Sequence, residues 1–204
     1  MGDMADAVGV PRDRFETLWT ATADDRYRGT FPSVKANVLQ VCASAGVAAD
    51  DAGVTRAGQL RTERSLNMLV PRADAVDTLV KLRASGYKTG LISDCGPEIP
   101  SHWTRTAFAP LMDVTVFSCN TGTKKPDPRI YLLACERLGV APADCLYVGD
   151  GGSEELTGGA SVGMTPVLIR ARYPGKEVEH RNEAQVWSGR TIGSLAEVLE
   201  IVAG

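Results

Sequence analysis

The chain has 204 residues, 44% hydrophobic and 23% charged, enough to bury one good core or one core with a small accessory domain. A formal net charge of -3, with lysine and arginine scattered and no long basic run, disfavours both a nucleic-acid groove and an anionic membrane surface. Cys42, Cys95, Cys119, Cys135 and Cys145 show no Cys-x-x-Cys spacing, and His102 and His180 are the only histidines. The expectation is a reduced, cytoplasmic protein without a zinc site.

Residues 1–11 alternate acidic and small side chains where a secretory signal needs a basic start and an apolar run, and no other stretch is apolar over the length of a membrane span. Pro11 suits a first helical turn, with Phe15, Leu18 and Trp19 at helical spacing behind it. A second helix is predicted after Pro32, through Val34, Val38, Leu39 and Cys42 to a stop at Gly46, and a third over 52–68. The character changes at Pro71. A helix through Val76, Leu79, Val80 and Leu82 ends near Gly86, and short apolar strands then alternate with helices. Strands are predicted over 88–92, 114–118, 145–148 and 165–169, and helices near His102, over 130–138 and over 154–160. That alternation predicts an α/β fold with a doubly wound parallel sheet in residues 71–204, preceded by a small, purely helical unit over 1–70.

In such a sheet, ligands collect at the carboxyl ends of the strands. The first strand ends Ile92-Ser93-Asp94-Cys95-Gly96, a hydroxyl and backbone donors suited to a phosphate oxygen. A serine that merely caps the next turn has the same appearance. In Thr123-Lys124-Lys125-Pro126-Asp127, Pro126 restricts the backbone of Lys125, so the ammonium can point to the strand ends; a solvated basic turn is the plainer reading. Val148-Gly149-Asp150-Gly151-Gly152-Ser153-Glu154-Glu155 runs from an apolar strand into acids one turn apart, the oxygen donors a hard cation selects. Either glutamate could instead simply favour a helix amino terminus. The glycines do not fall at dinucleotide-binding spacing.

In order and separation, these three segments resemble the second, third and fourth sequence motifs of the haloacid dehalogenase superfamily, over about 71–170. The resemblance implies a Rossmann-like core with a helical cap inserted between the first and second motifs. It implies that Ser93 and Asp94 meet the phosphoryl group, that Lys125 offsets charge on nucleophile and phosphate, and that Asp150 with Glu154 or Glu155 holds Mg2+. An acidic fourth motif implies a phosphatase acting on a small phosphorylated metabolite, in preference to a metal-independent dehalogenase. A phosphomutase and a noncatalytic binding or assembly module are the other readings. Asp94 departs from the asparagine common at that place. In the cap, Arg26, Tyr27 and Arg28 are either ligand-facing or a solvated charged helix end.

The family's first motif is a strand ending Asp-x-Asp whose first aspartate attacks phosphorus to give an aspartyl phosphate. Asp3 and Asp6 follow no apolar strand and Asp24-Asp25 lies in a helical pattern, so no residue here is assigned the nucleophile. Met1 and Met4 fall where the family is already in its first cap helix, and the expectation is a late-called start or fragment in preference to a true loss. The absent strand would lie between those ending at Ser93 and Val148. Orphaned backbone groups at roughly 1–3 kcal/mol each predict that the gap closes, by direct pairing or by a borrowed strand, including one from a second copy.

Overall fold

The computed structural model describes residues 1–170 and 181–204, so His180 lies outside the described residues. In chain order the helices are α1 (Gly2–Val8), α2 (Arg12–Ala21), α3 (Ala23–Tyr27), α4 (Val34–Ala45) and α5 (Asp51–Asn67). Then follow α6 (Ala75–Ala84), β1 (Gly90–Ser93), α7 (Glu98–His102), β2 (Val114–Phe117), α8 (Ser118–Thr121) and α9 (Pro128–Leu138). The chain continues through β3 (Leu146–Gly149), α10 (Glu155–Ser161), β4 (Thr165–Ile169), α11 (Asn182–Val186), β5 (Thr191–Ile192) and α12 (Glu197–Val202). It divides into two compact units, the first made of residues 1–70, 94–106 and 117–122, the second of 71–93, 107–116 and 123–204.

The helices of the first unit begin and end where their residues dictate. Ser33 accepts a hydrogen bond from the Ala36 amide at 3.2 Å and Asp50 one from the Gly53 amide at 2.7 Å, each satisfying an orphan donor of a first turn. Gly46 ends α4 in the left-handed conformation, at φ 70°, which a glycine adopts without cost. Phe15, Trp19, Val38, Val41, Val54 and Ala57 form the apolar core. A polar layer is buried with it. The Arg26 guanidinium lies 4.3 Å from the Trp19 ring centroid and donates to Asn37 Oδ1 at 2.7 Å. Arg26 is therefore not a solvated helix end, whereas exposed Arg28 pairs with Asp24 at 2.7 Å. Glu98 is also buried; it accepts from Arg61 Nε at 2.9 Å and Ser65 Oγ at 3.0 Å.

In the second unit β3 pairs with β4 and β4 with β5, all parallel, with Leu146 opposite Thr165 and Leu168 opposite Thr191. Strands β1 and β2 form a separate two-stranded sheet. Among the described residues β1 and β3 do not pair with each other, so the expected direct pairing does not occur. The reason lies in solvation. Leu91, Ile92, Tyr147 and Val148 are only half-buried, so water reaches these strands and can satisfy edge groups that would be costly if dry. Side-chain packing holds the two sheets instead. Ile92 and Val114 from one, and Tyr147 from the other, pack on a common cluster of Val116, Ile130, Tyr131, Ala134 and Cys135. Helix α9 supplies most of that cluster. It starts with Pro128 in its first turn behind Asp127, whose carboxylate accepts the Arg129 amide at 3.0 Å, and stops at left-handed Gly139.

Candidate active site

Three of the predicted site residues meet at the carboxyl end of β3. The Lys125 ammonium lies 2.5 Å from Glu155 Oε2, with side chains only 13% and 7% exposed. Glu155 also accepts from Tyr147 Oη at 3.0 Å, from the Asp150 amide at 2.6 Å and from the Gly151 amide at 3.1 Å. Both carboxylate oxygens are thus engaged by this chain's own donors. Burial alone would raise the Glu155 carboxyl; the Lys125 charge and hydrogen bond, with those from Tyr147 and Asp150, outweigh it and hold the group below its usual value.

The glycines make this approach possible. A Cβ at Gly149 would lie 2.5 Å from Glu155 Oε1, so any side chain there would expel the carboxylate. The chain then turns through Gly151 at φ 82°, Ser153 at φ 55° and Glu154 at φ 51°. Left-handed backbone at a serine and a glutamate costs of order 1–3 kcal/mol each, a strain that clusters at functional sites. That turn leaves Glu154 exposed and sends Glu155 back under the strand tip.

Asp150 stands beside this cluster in a different state. Its carboxyl is raised, first by burial and then by the Glu155 charge, against the smaller opposing effects of Arg181, the Gly152 amide and Lys125. Arg181 reaches Asp150 Oδ2 at 2.9 Å, and the Gly152 amide donates to Oδ1 at 3.2 Å. A carboxylate that is partly desolvated and repelled by a neighbour is a group a cation would relieve. Among the described residues no set of three histidine, cysteine or acidic side chains is arranged to hold a metal. The donors fit a hard cation that keeps most of its waters around Asp150, and no more than that.

Ser93 ends β1, half-buried, and Asp94 follows it. Three contributors lay beyond sequence reasoning. Arg181 carries no local signal of pairing with Asp150. Glu183 lies 27 residues beyond Leu156, yet its carboxylate accepts the Leu156 and Thr157 amides at 2.9 and 2.6 Å and so caps the first turn of α10. Tyr147, inside a strand that reads as purely apolar, gives its hydroxyl to Glu155. Separately, a groove of about 510 Å³ in the first unit is lined by Lys35, Gln59, Thr62, Glu63, Glu98 and His102 among others.

Several known proteins resemble this chain. The glyceraldehyde 3-phosphate phosphatase of Methanopyrus kandleri is 34% identical over 121 residues, 58% of this chain and 51% of that protein. Its counterpart in Methanothermobacter thermautotrophicus is 30% identical over 137 residues, 65% and 60% of the two chains. The (S)-2-haloacid dehalogenase 4A of Burkholderia cepacia is 33% identical over 107 residues, 52% and 46% of the two. The chain thus spans about half the length of the curated relatives it matches. In fold it is similar to the L-2-haloacid dehalogenase of Xanthobacter autotrophicus, with a TM-score of 0.63 at 18% identity over 98% of this chain and 92% of that one. It is likewise similar to a HAD phosphatase of Thermococcus onnurineus, with a TM-score of 0.56 at 23% identity over 93% and 92%. Among the described residues no helix is long and apolar enough to cross a membrane. Residues 10–163 match the haloacid dehalogenase-like hydrolase model, and with that match, the α/β architecture and the ordered Ser93, Lys125 and Asp150 segments, the chain belongs to the haloacid dehalogenase-like hydrolases.

Proposed function

We propose that this chain carries the phosphate-binding and charge-offsetting residues of a magnesium-dependent phosphatase acting on a small phosphomonoester. The observation that supports this most directly is the Lys125–Glu155 pair with Asp150 beside it at the end of β3. Glu155 holds Lys125 charged and in place, so that its ammonium can attract phosphate oxygens. Ser93 donates to one of those oxygens from the tip of β1. Asp150 is the magnesium carboxylate in this reading, and Glu155, with its oxygens already engaged, is the residue that positions the lysine and the turn. When bound, the metal would supply positive charge to the phosphoryl oxygens. The relatives named for glyceraldehyde 3-phosphate support a small phosphorylated metabolite as substrate.

The attacking carboxylate is assigned to no residue of this chain. We place it on an apolar strand between β1 and β3, where half-exposed Leu91, Ile92, Tyr147 and Val148 would cover it. Its oxygen would form the bond to phosphorus as the ester oxygen leaves with a proton, and water would then release phosphate.

The test is to extend the chain at its amino terminus with an apolar strand ending Asp-x-Asp and to measure melting and phosphate release from glyceraldehyde 3-phosphate and other phosphomonoesters. The extended chain should melt higher and turn over with magnesium. Changing its first aspartate to asparagine should keep the melting gain and abolish turnover. No gain in melting rejects the seated strand. Magnesium-dependent turnover by the unextended chain, lost in Asp150→Asn, would show that the nucleophile is already present. A haloacid dehalogenase is the second reading, supported by the Burkholderia cepacia relative, and chloride release from 2-chloropropionate would favour it. A noncatalytic module should show neither activity in the extended form.

A further inference from the structure

Cys135, in the last turns of α9, and Cys145, just before β3, hold their sulfurs 3.8 Å apart. Both backbones are fixed. The Cys135 carbonyl accepts the Val140 amide at 3.1 Å as the chain leaves α9 through left-handed Gly139. The Cys145 amide donates to the Pro142 carbonyl at 3.0 Å, and its carbonyl accepts the Thr165 amide at 2.9 Å where β3 and β4 begin to pair. Access differs between the two thiols. Cys135 is 3% exposed in the cluster on α9, whereas Cys145 is half-buried and solvent reaches it. We propose that Cys135 and Cys145 form a reversible disulfide in response to peroxide, with Cys145 as the attacking thiol and Cys135 as the resolving one.

Access and hydrogen bonding set that order. The Cys145 thiol donates its one proton to the Ala141 carbonyl at 3.4 Å, so in the contact between the sulfurs Cys135 is the donor and Cys145 the acceptor. A sulfur that accepts a hydrogen bond is favoured as thiolate, while burial pushes the donating Cys135 thiol up to about 11, in keeping with its acting second. Cys145 sulfur attacks hydrogen peroxide: an S–O bond forms, the O–O bond breaks, and hydroxide leaves and takes up the Cys145 proton to become water. Cys135 sulfur then attacks the sulfenic acid: the S–S bond forms, the S–O bond breaks, and the departing hydroxide leaves as water with the Cys135 proton. Two thiols lose two electrons and one peroxide becomes two waters. The sulfurs need only close from 3.8 Å to the roughly 2.0 Å of a disulfide. The crosslink fastens α9, the helix that follows Lys125, to the strand that ends at Asp150, and it restricts the unfolded chain.

The experiment exposes the reduced, folded chain to hydrogen peroxide, blocks free thiols with N-ethylmaleimide and maps non-reduced tryptic peptides by mass. Peptides 130–137 and 138–170 carry Cys135 and Cys145, whereas 36–56, 89–105 and 106–124 carry Cys42, Cys95 and Cys119. A linked 130–137/138–170 product, two hydrogens lighter than the sum, should appear first and vanish with dithiothreitol. The oxidised chain should melt about 5 °C above the reduced one. Cys135→Ser should leave Cys145 as a sulfenic acid that dimedone traps, and Cys145→Ser should leave Cys135 unmodified. The wild-type map decides even if a variant misfolds. The proposal is overturned if another pair links first, if the link forms only after urea has unfolded the chain, or if Cys145 proceeds to sulfinic acid without linking to Cys135.

Discussion

Strands β4 and β1 have similar apolar sequences, Val167-Leu168-Ile169 and Leu91-Ile92, but occupy different surroundings. The three β4 residues are buried, with β3 on one side and β5 on the other. The β1 residues are half-exposed, and among the described residues β1 pairs only with β2. Apolar composition therefore marks both as strands without saying which has neighbours on both edges. The polar ties differ in the same way. Glu155 closes the end of β3 from a buried position, whereas Asp113 joins the starts of β1 and β2 at the surface, accepting the Thr89 amide at 2.8 Å and an ion pair from Arg83. Stability should be concentrated in the three-stranded sheet and the Lys125–Glu155 cluster attached to it.

The largest test of that asymmetry is Glu155→Ala. It leaves the Lys125 ammonium buried without its carboxylate and should cost about 3–5 kcal/mol in urea unfolding. Next, Leu168→Ala should cost about 2–5 kcal/mol as a fully buried deletion, while Ile92→Ala should fall well below it because part of that side chain already meets water. Equal costs at the two positions would break the comparison. Asp113→Asn should be milder, about 1 kcal/mol, since a partly exposed tie is replaced by a weaker one.

The pH dependence sharpens the contrast. The Thr89 amide and Arg83 hold Asp113 below its usual value, so its stabilising contribution is present above the ordinary value of 3.8 and is lost as pH falls through the lower folded value. Asp150 has the opposite sign. Its raised carboxyl favours the folded state below 3.8, and that contribution is lost as pH rises through the folded value. In metal-free buffer Asp150→Asn should melt no lower than the wild type at neutral pH, with the difference narrowing in acid. A clear loss of melting temperature at neutral pH would show that the Arg181 pair outweighs burial and the Glu155 charge.

Much of the helical and strand pattern was legible because it is local. Pro11, Ser33, Gly46, Asp127 and Gly139 sit at helix boundaries for reasons contained in their own backbone chemistry, and the strand over 165–169 is present with those bounds. The short α1 and α3 and the two-residue β5 were not anticipated, since elements that short carry little periodicity. Lys125, Asp150 and Glu155 stood out because their spacing resembles known motifs. Their division of labour did not, because it depends on which oxygens are already taken.

By itself the sequence determined the order of the longer helices and strands, the family resemblance and the short set of chemically capable residues, since each rests on side-chain type and spacing along the chain. Tertiary structure alone decided that the sheet divides between β1 and β3 and that Arg26 is buried on Trp19. It also decided that Glu155 spends its oxygens on Lys125, Tyr147 and two amides, and that Arg181 meets Asp150. Those outcomes depend on burial and on approach between residues distant in sequence, for which the linear chain carries no local signal.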